Sequence, residues 1–183
     1  MGMKIRRKIR GEIKWRYFAP GNHDPSNPPR RLTAEQSMDA VGSATGARPA
    51  FPEVPEDTNA SQVPDPPVGK DGFLDLFGRP SRESACECER RADLSLPQAL
   101  NLINGKTISD AVADPNGRVT KSVLAGKSDA AIVEDLYLAT LSRAPTKTEA
   151  ENGLKYLSGG ARGIRAQDLL WALLNSKGFL YSY

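Results

Sequence analysis

The sequence predicts an all-α fold, an irregular multi-helix bundle with a long proline-rich loop strapped across it. Three observations carry that expectation. From Ser95 onward, apolar residues recur at the three- and four-residue spacing of a helix face, and no alternating series of the kind strands need is present. Capping signals of the Ser/Thr-x-x-Glu/Gln type open two such runs, at Thr33 with Gln36 and at Thr146 with Glu149. The connections after Ser95 are short turns, which make successive helices antiparallel neighbours.

The first helix is expected from Ala34 to about Thr45, with Met38, Val41 and Ala44 as its apolar stripe and Gly46 as its stop. Residues 47–70 hold Pro49, Pro52, Pro55, Pro64, Pro66 and Pro67, leave no room for a long helix, and form the expected strap. A short apolar helix, Phe73 to Phe77, comes next. Ser95 caps a helix with Pro97 in its first turn, where a missing N–H does no harm, and Leu96, Ala99, Leu100 and Ile103 share its face. A brief helix around Thr107–Val112 precedes the turn Asp114-Pro115-Asn116-Gly117. Val119, Val123 and Leu124 line a helix ending at Gly126. Ser128 caps the strongest helix, whose apolar side carries Ile132, Val133, Leu136, Tyr137 and Thr140 and which Pro145 closes. The helix after Thr146 is expected to bury Ala150, Leu154 and Leu157. The last one, roughly Ile164 to Asn175, is apolar on more than one face, which predicts a central place in the bundle. Trp171 is read as core, and Phe179, Leu180, Tyr181 and Tyr183 as a tail docked on the last helix. The expected core is Leu100, Ile103, Ile132, Leu136, Leu154, Leu157, Leu169, Leu170 and Leu173.

Charge divides the chain unevenly. Residues 1–31 carry nine basic residues against Glu12 and Asp24, whereas the remainder carries 16 basic and 20 acidic ones. Residues 1–29 are therefore read as a basic arm, disordered and dispensable, and residues 30–183 as the helical domain. Trp15, Tyr17 and Phe18 beside Arg and Lys suit stacking on bases. Ile5, Ile9 and Ile13 follow helical spacing, however, while Ile13, Trp15 and Tyr17 follow strand spacing, and no one face is sustained. A solvated leader is preferred, and a nucleic-acid or membrane partner is not expected for the arm.

Composition excludes several chemistries. One histidine, His23, and two cysteines, Cys86 and Cys88, rule out a Cys₂His₂ or Cys₄ zinc site within the chain and a disulfide-stapled scaffold. There is no glycine-rich phosphate cradle, and no cofactor is expected. No apolar run reaches the ~18 residues of a membrane-spanning helix. No apolar segment follows the basic start, so the chain as written carries no signal peptide and would stay in the cytoplasm.

Several stretches resemble one family: Arg30 to Glu35 (RRLTAE), Gln62 to Pro66 (QVPDP), Phe73 to Arg90 (FLDLFGRPSRESACECER), Leu96 to Asn104 (LPQALNLIN), Gly126 to Asp129 leading into EDLYLATLSRAPT, and the closing LLWALLNSKGFLY. These are similar to domain-of-unknown-function family 1553, planctomycete-specific domain one, over about residues 30–183. The resemblance implies the C-terminal portion of a larger exported bacterial protein, hence an extracytoplasmic location. It also implies a partner, either an upstream domain of the parent or another protein, and brings no catalytic residue. Nothing before Arg30 looks like the family's upstream domain, which suggests a truncation or an alternative start. Ser37 and Gly178 depart from residues usual in relatives.

Two groups of residues are candidate sites. Asp75 with Glu83, near Arg79, offers a carboxylate pair for acid–base work on a glycan; salt bridges to Arg79 or Arg82 are the competing reading. Cys86 and Cys88 are candidate metal ligands. In an extended segment their Cα atoms stand ~6.6 Å apart, against the ~5.5–6 Å a disulfide prefers, and two thiolates are too few for a tetrahedral site. They are read instead as small buried hydrophobes. Asn59-Ala60-Ser61 fits an N-glycosylation pattern with no expected role. The function expected is a helical interaction or scaffolding module. The alternative is an auxiliary part of an exported enzyme acting on polysaccharide, its site completed by an upstream domain.

Overall fold

The computed structural model describes residues 3–9, 12–18, 30–47, 55, 58–62, 73–76, 101 and 105–182. Two compact units divide at Arg30 and Arg31.

In the first unit, β1 (Met3–Ile9) pairs antiparallel with β2 (Glu12–Phe18), in a register that sets Lys4 opposite Tyr17, Arg6 opposite Trp15 and Lys8 opposite Ile13. This differs from the expected leader without regular structure. The strand-spaced Ile13, Trp15 and Tyr17, all residues that favour a pleated surface, are what the pairing uses.

The second unit is all-α. Its helices are α1 (Ala34–Thr45), α2 (Phe73–Leu76), α3 (Lys106–Val112), α4 (Arg118–Leu124), α5 (Asp129–Leu141), α6 (Lys147–Leu157), α7 (Arg162–Leu174) and α8 (Lys177–Leu180). The helix starts follow from side chains. Both expected capping boxes form, Thr33 with Gln36 and Thr146 with Glu149, and Ser128 Oγ accepts from Ala131 N–H at 3.2 Å. Gly46 ends α1 in the left-handed region at φ 72°, which glycine enters without a Cβ clash.

Helix α5 packs on both α1 and α7. Helix α5 buries Ile132, Val133, Leu136, Tyr137 and Thr140, and α7 buries Ala166, Leu170, Leu173 and Leu174. Helix α7 packs on α3, α4, α5, α6 and α8, the central place its two apolar faces predict. Phe73 and Leu74 of α2 are fully buried, and α2 packs on α1. A Cβ on Gly153 would meet both Val133 methyls at 3.0 Å, so α6 approaches α5 closely because position 153 has no side chain. Ala60 is fully buried at the start of a 3-10 turn, Ala60–Gln62, whose Ala60 and Ser61 N–H groups donate to the Asp39 carboxylate of α1 at 2.6 and 3.1 Å. Most of the proline-rich stretch, and Leu100 and Ile103, lie outside the described residues. The chain ends of the unit meet where Leu32 N–H donates to Leu180 O at 3.5 Å, and Phe179 is buried.

One expectation about the core, Leu154, and one about the apolar line of a helix, Leu124, need correcting. Leu154 is 37% exposed and Leu124 81% exposed. Gly153 brings α6 so close to α5 that the buried stripe runs through 153 and 157 and turns Leu154 outward. Leu124 is the last residue of α4, a helix of two turns whose buried side is spent on Val119 and Ser122. Truncating Leu136 to Ala should therefore cost ~2–5 kcal/mol, whereas Leu154→Ala should cost under ~1 kcal/mol. Urea denaturation of both variants checks this, and similar losses at both positions would contradict the packing.

Candidate functional site

The residues singled out from sequence fall mostly beyond view. Arg79, Glu83, Cys86 and Cys88 lie outside the described residues. The backbone of Asp75 is placed in α2. Among the described residues, no group of three or more His, Cys, Asp or Glu side chains is disposed to hold a metal ion.

The described polar groups instead converge where α1 ends and α4, α5 and α7 begin. The Arg118 guanidinium donates from Nε to Ala44 O at 2.7 Å and from Nη2 to Ser43 O at 3.1 Å. Its Nη1 donates to Asp135 Oδ1 at 3.2 Å. The last carbonyls of a helix have no partner within it. Here Gly46 N–H satisfies Gly42 O, and Arg118 satisfies the next two. Gly117 permits the approach, because a Cβ there would lie 3.2 Å from Thr45 O. Asp135 also accepts from Lys127 Nζ at 3.2 Å and from Ser122 Oγ at 3.4 Å. A second fork, Arg162, donates to Asp129 Oδ1 at 2.6 Å and to the backbone oxygen of Lys127. It thereby ties the first turn of α7 to the first turn of α5 and to the loop after α4.

Two exposed apolar side chains lie on the tied elements: Leu124 at the end of α4, three residues before Lys127, and Ile164, 62% exposed, two residues after Arg162 in the first turn of α7. Sequence reasoning placed Leu124 on the apolar line of its helix and gave Ile164 no role beyond the helix start. The signal that Leu124 faces water is the shortness of α4, which ends there.

A third polar group closes the α5–α6 corner. Arg143 holds Glu149 by two hydrogen bonds of 2.7 Å and lies 5.6 Å from the Tyr137 ring centre. The side-chain bonds from Arg143, and after them those from Thr146, hold the Glu149 carboxyl down at about 2. Burial raises the Tyr137 phenol, and Glu149 adds to this. Helix α7 joins α6 through Tyr156, whose hydroxyl donates to Asp168 at 2.9 Å while Arg165 covers its ring at 4.5 Å. These groups are engaged with one another, as structural ion pairs are.

With the fold and these clusters in place, the family follows. The model of the family described as "PSD1: Protein of unknown function (DUF1553)" matches residues 22–157, and the chain belongs to that family. The match runs from ahead of α1 to the end of α6 and so takes in the Arg118–Asp135 tie. No curated protein and no solved structure matches the chain. No helix among the described residues is long and apolar enough to cross a membrane.

The Glu149 carboxyl lies below its ordinary value of 4.5 in the folded chain, so its contribution is present above about pH 4.5 and is lost as the pH falls toward 2. Glu149→Gln keeps an acceptor for Thr146 N–H and loses the ionic part of the Arg143 pair. The variant should melt lower than the parent at neutral pH, and the gap should narrow between pH 4.5 and 2. A gap independent of pH, in thermal melts followed by circular dichroism, would contradict the assignment.

Proposed function

We propose that the helical unit is an interaction module whose docking face is centred on Leu124 and Ile164. The observation that carries this reading is the exposure of Leu124, 81%, beside a polar tie that fixes the elements bearing both side chains. Single exposed leucines are ordinary on protein surfaces. Two large aliphatic side chains on helix ends that Arg162 ties together would give a docking face an apolar centre with a charged rim, the anatomy of a protein–protein contact. Burying each would stabilise a complex by about 1.5–3 kcal/mol. Lys127, Asp129, Arg162 and Asp135 supply the rim.

The partner we propose is a neighbouring folded domain of a larger exported bacterial protein. What supports this is the family to which the chain belongs; the scaffold itself fits any folded partner with a complementary apolar surface.

The test is photo-crosslinking from p-benzoylphenylalanine placed at Leu124 or Ile164 in cells that produce the protein, with exposed Glu151 on α6 as the control position. Peptide mass spectrometry should map adducts from both positions to one surface of one folded domain. The double variant Leu124→Ser, Ile164→Ser should abolish docking without lowering the melting temperature. Adducts no stronger than those from Glu151 would overturn the proposal.

A further inference from the structure

The β1–β2 ribbon places together residues that are scattered in the sequence. Alternate positions along a strand share a face. By the register, one face holds Lys4, Arg6 and Lys8 on β1 and, directly across, Tyr17, Trp15 and Ile13 on β2. That face has three cations, two aromatic residues and no acid. The opposite face pairs Met3 with Phe18, Ile5 with Arg16, Arg7 with Lys14 and Ile9 with Glu12, and so adds three further cations and one acid.

We infer that this ribbon is a binding site for single-stranded nucleic acid, with bases stacked on Trp15 and Tyr17 and phosphates neutralised by Lys4, Arg6 and Lys8. Sequence-tolerant single-strand binding requires these two ingredients, a cationic track and aromatic platforms beside it. Neither ingredient is organised by the sequence alone, where helical and strand spacings compete. The antiparallel register is what sets each cation across from a ring or an aliphatic residue. Cations two positions apart on a strand stand ~6.6 Å apart, a regular rail for an extended chain of phosphates. An anionic lipid surface fits less well, because an interfacial segment needs a face free of charge to enter the bilayer. Both faces of this ribbon carry three cations.

The experiment is fluorescence anisotropy of a labelled oligothymidylate of about 20 nucleotides, titrated with the full chain at about 50 and about 200 mM salt. Neutralising three or four phosphates of a single strand predicts a loss of affinity of about 20–50-fold between these salts. Trp15→Ala should lose about fivefold or more, and Trp15→Phe, which keeps a ring, should retain most of the affinity. Lys4→Gln, Arg6→Gln, Lys8→Gln together should flatten the salt dependence, lowering its log–log slope by about 2. The equal charge removal Lys121→Gln, Lys147→Gln, Lys155→Gln on the helical unit should leave binding unchanged. Absence of binding at low salt, equal losses from both triple variants, or an unaffected Trp15→Ala would overturn the inference. So would phosphatidylserine vesicles that take up the chain and displace the oligonucleotide, an outcome that would make the ribbon a lipid-surface anchor.

Discussion

The helical unit depends on one arginine. The C-terminus of α1 is pressed against the start of α4, and its last carbonyls have no partner within the helix. Arg118 meets that constraint from across the chain, with a planar fork that reaches two carbonyls of α1 and one carboxylate of α5. Lysine could not do this, because its ammonium is a point charge without the fixed geometry of the guanidinium. Gly46 and Gly117 keep the approach open on either side. Once α1, α4 and α5 are joined, α7 has a groove to fill, and Arg162 fixes its first turn against α5.

This arrangement explains what the polar residues of the unit are for. Asp135 accepts from Arg118, Lys127 and Ser122; Glu149 from Arg143 and Thr146; Asp39 from the 3-10 turn. Asp135 and Asp39 join elements well apart in sequence, whose contact is otherwise entropically costly, whereas Glu149 closes the short corner between α5 and α6. These groups are spent on joining elements, and Leu124 and Ile164 are the most exposed of the large apolar side chains among the described residues. The basic N-terminal ribbon is a different kind of surface, with its cations grouped on one hairpin.

The parts of the fold legible in sequence were those written locally. Thr33 with Gln36, Thr146 with Glu149, and Ser128 each declare a helix start within four residues, and Gly46 declares a stop. The apolar faces of α5 and α7 could be read because the period of 3.6 is itself local, and those faces are the core observed. The corrections came where long-range contacts decide. Leu154 has the right spacing for a core residue, but Gly153 beside it admits Val133 and rotates the helix. Leu124 continues the stripe of Val119 and Val123, but α4 ends there. The partnership of Arg118 with Ser43 and Ala44 spans more than seventy residues, and no pattern of spacing announces it. The paired strands of residues 3–18 were hidden by helical and strand periods that overlap in the same stretch. The candidate residues Arg79, Glu83, Cys86 and Cys88 stand in a segment whose charge density gave a list of groups without a geometry.

The most direct measurement is the stability of Arg118→Ala and Arg118→Lys by urea denaturation. If the fork satisfies α1 and joins it to α5, the alanine variant should lose about 1.5–3 kcal/mol, the range for hydrogen bonds to a charged group. Lysine should restore less than half of that loss, because it cannot serve three acceptors at once. Both variants within about 0.5 kcal/mol of the parent, the range of an ordinary surface substitution, would show that the helices assemble without the tie and would contradict the account.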